Sequence, residues 1–257
     1  MPGLHEYLSY EDAQRAFAPA RLWELFDGDR ARLNIAHECI DRHAADPARV
    51  AIWVAFADGH DEQLTFRAIS ELSARFAHWL TARGIGKGER VAIMLEPSLI
   101  FYAALFGAMR AGAIAVPLFT LFGPDGVRLR IEDCAPRLLL TNAEKAREMG
   151  DAPGVPLVIA DDVLMRALAA YPEIFEPRTA ADDLAIYQYT SGTSGSAAHP
   201  PRDHYAHGCG TVRHRDPAWR SVFLPIIACL GARLVARHPG AACARRTDRH
   251  VLWEIRR

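Results

Sequence analysis

The chain has 257 residues, half of them hydrophobic, which is enough for one large domain or two small ones with a sizeable core. A formal net charge of −1 and a pI near 6.8 argue against a protein that works mainly on nucleic acid or on an acidic membrane. The N-terminal residues lack the apolar segment of a signal peptide, and the longest nearly uncharged run, residues 98–109, is too short to span a bilayer.

Helices and strands are predicted to alternate from residue 34 onward, and an Asp58-Gly59 turn joins the first two strands into a hairpin. Apolar residues at helical spacing predict the second helix, which Thr65 caps and Gly84 ends. In chain order the predicted elements are helix 34–44, strands 50–56 and 63–66, the helix from Thr65 to Gly84, strand 90–95, helix 98–111, strand 113–118, helix 125–134, strand 137–141, helix 143–149, strand 156–160, helix 162–170 and strand 184–190.

Continuously apolar strands such as VAIML and AIAVPL indicate burial on both faces. Their alternation with helices predicts an α/β fold, a mostly parallel sheet with helices on both faces. Helix 98–111 is apolar almost all round with Arg110 as its only charge, so we expect a buried helix rather than a cofactor-binding segment.

One loop carries the residue types of a phosphate site. The last predicted strand runs directly into Thr190-Ser191-Gly192-Thr193-Ser194-Gly195, where backbone N–H groups and hydroxyls can surround phosphate oxygens. An isolated turn of this composition is more often simply solvated. No G-x-x-x-x-G-K-[ST] motif is present, and the glycines at 84, 86 and 88 have the wrong spacing for G-x-G-x-x-G.

The loop, as YTSGTSG, resembles the phosphate signature of the AMP-forming adenylating enzymes, the acyl-CoA synthetase group, whose usual form is Y-T-S-G-T-T-G-x-P-K-G. The resemblance continues upstream in LTFRAISELSARFAHWLTARGIGKGERVAIML and in AGAIAVPLF, and it covers most of the first 195 residues. FTLFGPDGVRLRIEDC and NIAHECIDRH are most similar to the branch that handles acetate and medium-chain or aryl acids.

The resemblance implies a ligase that activates a carboxylic acid with Mg-ATP and transfers the acyl group to coenzyme A. It implies that Thr190, Ser191, Gly192, Thr193, Ser194 and Gly195 grip the β- and γ-phosphates. Its adenine segment, magnesium ligand, ribose-binding aspartate, acyl pocket and catalytic lysine are expected beyond the matched stretch. We therefore expect residues 1–195 to be a partial adenylation domain in a chain that is itself inactive.

Composition changes after Gly195. The first 195 residues carry a net charge of −8 and residues 196–257 carry +7, with six of the eleven histidines, three of the five cysteines and no lysine. The family's x-P-K-G is replaced by SAAHP. Read one base along with freely chosen codons, residues 199–236 can encode family-like sequence, including a G-x-x-P-G-D-R turn. We interpret residues 196–257 as an irregular, out-of-frame tail.

Alternative functions follow from this tail and from the loop. His204, His207 and Cys209 are spaced closely enough to chelate zinc, although no second half-site follows. The positive charge could mark a nucleic-acid arm, but interleaved aromatics are lacking. A non-enzymatic nucleotide-binding or interaction module is the remaining alternative. The five cysteines, odd in number and without a C-x-x-C pair, predict a cytoplasmic location, and the oligomeric state is not indicated.

Overall fold

The computed structural model describes residues 6, 9–56, 59–150 and 154–189. The predicted irregular tail therefore lies outside the described residues. The described part begins with a short helix, α1 (Tyr10–Ala16), which Ser9 caps by accepting the Asp12 N–H at 3.1 Å. A 3₁₀ helix, Pro19–Leu25, follows it. Neither element was predicted, and α1 buries none of its residues.

The predicted helix over residues 34–44 is wrong as a single element. It is split into α2 (Ile35–Cys39) and a 3₁₀ turn (Asp41–His43), because Ile40 leaves the helical region with φ −123° and ψ −58°. Ile35, Cys39 and Ile40 were expected to share an apolar face; Cys39 and Ile40 are buried, and Ile35 is half-buried. The break lets Asp41 reach Arg110 on a neighbouring helix.

The predicted hairpin is confirmed. Strands β1 (Val50–Ala55) and β2 (Asp61–Thr65) pair antiparallel, with Trp53 opposite Gln63. At the turn the Phe56 N–H donates to His60 O at 3.0 Å, and Gly59 has a φ of +91°, which favours glycine.

Helix α3 (Phe66–Thr81) follows the hairpin and begins where the sequence predicts. Thr65 Oγ1 accepts the Ala68 N–H at 3.1 Å, and Gly84 after the helix has a φ of +70°. The apolar stripe is buried as predicted, at Ile69, Leu72, Phe76, Ala77, Trp79 and Leu80.

The main sheet has four parallel strands in the order β4-β3-β5-β6. They are β3 (Arg90–Met94), β4 (Ile114–Pro117), β5 (Leu138–Thr141) and β6 (Leu157–Ile159). The helices that alternate with them are α4 (Leu99–Arg110), α5 (Pro124–Cys134), α6 (Ala143–Met149) and α7 (Asp162–Ala169). The predicted α/β fold is confirmed, with strands a residue or two shorter than predicted.

Alternate residues of each strand enter two different cores, as the pleat requires. Val91 and Ile93 of β3 pack into the cluster that contains residues of α3, α4 and α7. Ala92 and Met94 pack into the cluster that contains residues of α5. The sheet is therefore covered on both faces. The prediction that helix 98–111 is buried is confirmed from Ala103 onward in α4, apart from Leu105, which is half-buried together with the first turn.

The last predicted strand, 184–190, is wrong in extent. Within the described residues it makes one parallel bridge, between Ile186 and Ala115 of β4. Pro117, whose backbone faces the same neighbour as that of Ala115, has no N–H to donate, so the next hydrogen bond of the ladder is lost. Residues 185–187 nevertheless lie beside β4, on the side away from β3.

Candidate functional site

Parallel strands bring their carboxyl ends to one edge of the sheet, here called the carboxyl edge. Residues 185–187 run parallel to β4, so the described chain reaches this edge at Tyr189, the last described residue. Ligands of open parallel sheets bind in the crevice outside the carboxyl ends of the strands. The predicted phosphate loop lies outside the described residues; it consists of Thr190, Ser191, Gly192, Thr193, Ser194 and Gly195. The segment that leads into it, residues 185–189, is described and is here called the loop entry.

Two backbone hydrogen bonds hold the loop entry on the sheet. The Ala115 N–H donates to Ala185 O at 3.0 Å, and the Tyr187 N–H donates to Ala115 O at 2.8 Å. This is the alternating pattern of a parallel ladder, cut to one repeat.

Before the bridge, Thr179 is hydrogen-bonded to the residues directly before α2, and one of these is also bonded to α4. Thr179 Oγ1 donates to Leu33 O at 2.6 Å, and the Leu33 N–H donates to Thr179 O at 3.0 Å. The Asn34 side-chain amide donates to Thr179 Oγ1 at 3.0 Å and to Met109 O at 2.9 Å. Because these residues are far apart in sequence, no local motif could have predicted the contact.

Lys87, one of two lysines in the chain, adds an ion pair to the same stretch. Its Nζ lies 2.7 Å from Asp183 Oδ2. Burial alone would raise the pKa of Asp183, but hydrogen bonds from Lys87 and from the Ala180 N–H hold that pKa below its ordinary value. Asp183 is therefore an ionised anchor three residues before the bridge.

After the bridge, two tyrosines reach one carboxylate on α5. The Tyr189 hydroxyl lies 2.6 Å from Asp133 Oδ2, and the Tyr187 hydroxyl lies 3.3 Å from the same oxygen. The two rings meet edge to face with centroids 5.3 Å apart. Burial, and then the hydrogen bond to Asp133, raise the pKa of Tyr189, so its phenol stays a proton donor.

The Arg130 side chain, from the preceding turn of α5, lies over the rings of Phe122 and Tyr189. Its guanidinium carbon lies 3.6 Å from the Phe122 ring centroid and 5.3 Å from that of Tyr189. Neither the two tyrosines nor Arg130 and Asp133 were predicted from the sequence as site residues. A signal was present, since both tyrosines come directly before the loop.

Other groups at the carboxyl edge follow β3 and β4. Thr120 Oγ1, after β4, donates a hydrogen bond to Glu96, which comes two residues after β3. Phe119 and Leu121 are exposed beside them, 57% and 93% respectively.

In the part of the chain that the structure describes, no three His, Cys, Asp or Glu side chains are placed to hold a metal ion. The alternative zinc ligands His204, His207 and Cys209 lie outside that part.

Comparison with known proteins decides the family. The family model of the AMP-binding enzyme matches residues 40–198, which is more than half of the chain and includes the predicted phosphate loop. The chain belongs to the AMP-binding enzyme family. The resemblance inferred from the YTSGTSG loop is thereby confirmed.

Relatives of this chain include several CoA ligases. A 3-hydroxybenzoate–CoA ligase from Aromatoleum sp. is 34% identical over 62% of this chain and 32% of its own length. An acetyl-coenzyme A synthetase from Halorhodospira halophila is 30% identical over 63% of this chain and 26% of its own length.

The crystal structure of an acyl-CoA synthetase from Brucella canis matches this fold with a TM-score of 0.62 and 32% identity, over 72% of this chain and 36% of that one. The chain thus spans between a quarter and somewhat more than a third of the length of these relatives, 26% to 36%. Within its described residues, no helix has both the length and the apolar character to cross a bilayer.

Proposed function

We propose that residues 1–195 are the N-terminal part of an adenylation domain of an acyl-CoA ligase, and that the loop over residues 190–195 binds the phosphates of ATP. One observation supports the proposal: the parallel bridge between Ile186 and Ala115 brings the chain up to Tyr189, the residue directly before the loop, at the carboxyl edge of the sheet. The family match, which runs through residue 198, supports the same assignment.

The residue types of the loop suit a polyphosphate. Glycines allow the backbone to approach the phosphate oxygens closely, and the hydroxyls of Thr190, Ser191, Thr193 and Ser194 can donate to them together with backbone N–H groups. Each hydrogen bond to a charged oxygen contributes about 1.5 to 3 kcal/mol. The loop is thus suited to hold the β- and γ-phosphates, while Mg²⁺ neutralises their charge.

The proposed family reaction has two steps. A carboxylate oxygen attacks the α-phosphorus of ATP, the bond to the bridging oxygen breaks, and pyrophosphate leaves with its electron pair. The thiol of coenzyme A then attacks the acyl carbon of the resulting acyl adenylate, loses its proton and displaces AMP. Holding the phosphates in line for the first step is the part proposed for this chain.

We further propose that this polypeptide does not complete the reaction. The family match ends at residue 198, whereas the chain continues to residue 257 with a composition unlike that of its first part. SAAHP stands where the family signature has x-P-K-G, so the signature lysine is absent. A frameshift after Gly195 explains both the lost signature and the excess of Arg and His.

The coding DNA tests the frameshift directly. Read in all frames across codons 195–236, it should contain an overlapping frame that continues as AMP-binding enzyme sequence. If only the printed frame remains open there, the frameshift proposal is wrong.

Binding of ATP to the full chain tests the proposed site. We expect a dissociation constant in the millimolar range, about −4 kcal/mol of binding free energy, measured by equilibrium dialysis with Mg²⁺ present. Gly192→Asp should abolish binding, because a carboxylate would occupy the phosphate position. The matched control Gln63→Glu adds the same charge on the exposed face of the hairpin and should bind normally. Equal binding by both variants would contradict the assignment.

The cytoplasm is the proposed place of action. The described cysteines, Cys39 and Cys134, are both free and buried, which suits a reducing compartment.

A further inference from the structure

Backbone pairing at the loop entry stops before the loop begins. The N–H groups of Ile114 and Leu118 donate to β3, at 2.7 Å to Glu89 O and 2.8 Å to Ile93 O. The backbone N–H and C=O of Ala115, which lies between them, point to the other side of β4 and bond to the loop entry. Pro117 lies two residues beyond Ala115 and faces the same way.

A parallel ladder would continue with an N–H from residue 117 to the carbonyl of Tyr187. Proline has no N–H, so this hydrogen bond cannot form. Tyr187 is the last described residue of the entry whose backbone bonds to β4, three residues before the loop. Pro117 O could still accept from the Tyr189 N–H, but this hydrogen bond does not form. Something other than the ladder must fix the position of Tyr189.

The side chain of Tyr189 supplies that anchor. Its hydroxyl lies 2.6 Å from Asp133 Oδ2, the distance of a charge-assisted O–H···O⁻ hydrogen bond, and 3.2 Å from Arg130 O. Both partners belong to α5, which packs on the sheet through Val127 and Ile131. The Tyr189 hydroxyl therefore fixes the end of the loop entry to a helix that is packed on the sheet.

We propose that Asp133 is a positioning residue of the phosphate loop, acting through the Tyr189 hydroxyl; this role rests on the proposed ATP site. The carboxylate holds the entry at Tyr189, beyond the point where its backbone pairing with β4 ends. Tyr187, 3.3 Å from the same oxygen, is a weaker second contact.

Three substitutions in the full chain separate this role from general stability. Tyr189→Phe removes only the hydroxyl, and Asp133→Ala removes its acceptor. Glu132→Ala, the control, removes an exposed carboxylate from the adjacent position of α5. Because alanine favours helices, neither alanine variant should prevent folding, and thermal melting verifies this.

Affinity for Mg-ATP is the first measurement. We expect Tyr189→Phe and Asp133→Ala each to weaken binding about tenfold, the equivalent of about 1.4 kcal/mol. The double variant should be no weaker than either single variant, since both break one contact. A residue with a merely structural role would lower the melting temperature and leave the affinity of the folded chain unchanged. An unchanged affinity in Asp133→Ala overturns the proposal.

Hydrogen exchange of the full chain gives a readout that needs no ligand. In Asp133→Ala the Tyr187 amide, which donates to Ala115 O, should exchange about tenfold faster, while the amides of β3 and the Glu132→Ala control stay as in the wild type. If the wild-type chain binds no ATP, the proposed function fails, and the exchange result alone decides the anchor. Unchanged exchange at the Tyr187 amide overturns it.

Discussion

Arg110, the one charge of the apolar helix α4, forms an ion pair with Asp41 inside the protein. The Arg110 side chain is 3% exposed and that of Asp41 20% exposed. Arg110 Nε also donates to Ser73 Oγ at 2.9 Å, and Ser70 Oγ donates to Asp41 Oδ1 at 2.6 Å. The network ties α4 to α3 and to the 3₁₀ turn that breaks the first predicted helix.

Arg110→Met should destabilise the protein by about 3 kcal/mol, because it leaves Asp41 largely buried without its partner. Replacing Asp41 by Asn in the same chain should recover part of the loss. Urea unfolding measures both. The control Arg128→Met breaks a 3.4 Å pair with Asp125 on the surface and should change stability by less than about 0.5 kcal/mol. Equal losses at the two arginines would show that burial of the pair is unimportant.

Gly107→Ala should cost about 2 kcal/mol of stability. A Cβ at Gly107 would lie 2.8 Å from Ser73 O and 2.9 Å from Phe76 Cβ, so α4 would have to move away from α3. Gly126→Ala is the matched control: its nearest neighbours are 3.6 Å away, and the gain in helix propensity should stabilise α5 by up to about 1 kcal/mol. Chemical denaturation should show opposite signs for the two variants; the same sign would contradict the close helix contact.

Stability should fall at alkaline pH because of Cys39. Burial, and then the charge of Glu38, raise the pKa of this thiol from 9.0 to about 12. Above pH 9 the unfolded chain loses the proton and the folded chain keeps it, so stability is full below pH 9 and declines up to about pH 12. The expected slope is about 1.4 kcal/mol per pH unit.

The measurement is urea unfolding of the wild type and Cys39→Ala from about pH 8 to about pH 10.5. Other groups titrate in this range, so the informative quantity is the difference between the two slopes. The variant should show the shallower decline. Parallel curves would mean that the Cys39 thiol is not shielded from ionisation.

No carboxylic acid should cause this polypeptide to release pyrophosphate from ATP above the level of Gly192→Asp. The expectation follows from the family match, which ends at residue 198, and from the missing signature lysine. A coupled pyrophosphate assay with benzoate, acetate and a medium-chain fatty acid measures it. Acid-dependent release by the wild type alone would overturn the proposed inactivity.

Opposite charges predict association at low ionic strength. Residues 1–195 carry −8 and residues 196–257 carry +7, and Leu121 and Phe119 are exposed at the carboxyl edge. Light scattering should show aggregates that diminish at about 0.15 M salt and above, where the Debye length is about 8 Å. A monodisperse monomer at low salt, with a cooperative melt, would refute this.

Local rules were sufficient for most elements of the described fold. The cap at Thr65 and the terminating Gly84 each depend on residues within four positions, and α3 forms where they predict. The apolar runs of β3 and β4 were enough to predict a parallel sheet, because only burial on both faces accounts for them. The break at Ile40 was not predicted, because hydrophobic periodicity does not report a local change of φ and ψ.

The phosphate loop was predicted from its own residues and from the resemblance they carry, since a Gly/Ser/Thr loop after a strand is a local pattern. The tertiary structure decided how the loop is approached: a single bridge at Ile186, an absent N–H at Pro117, and Tyr189 held by Asp133. It also decided that the lone charge of α4 is paired inside the protein. These contacts join residues more than fifty positions apart, and only the folded chain brings such residues within hydrogen-bonding distance.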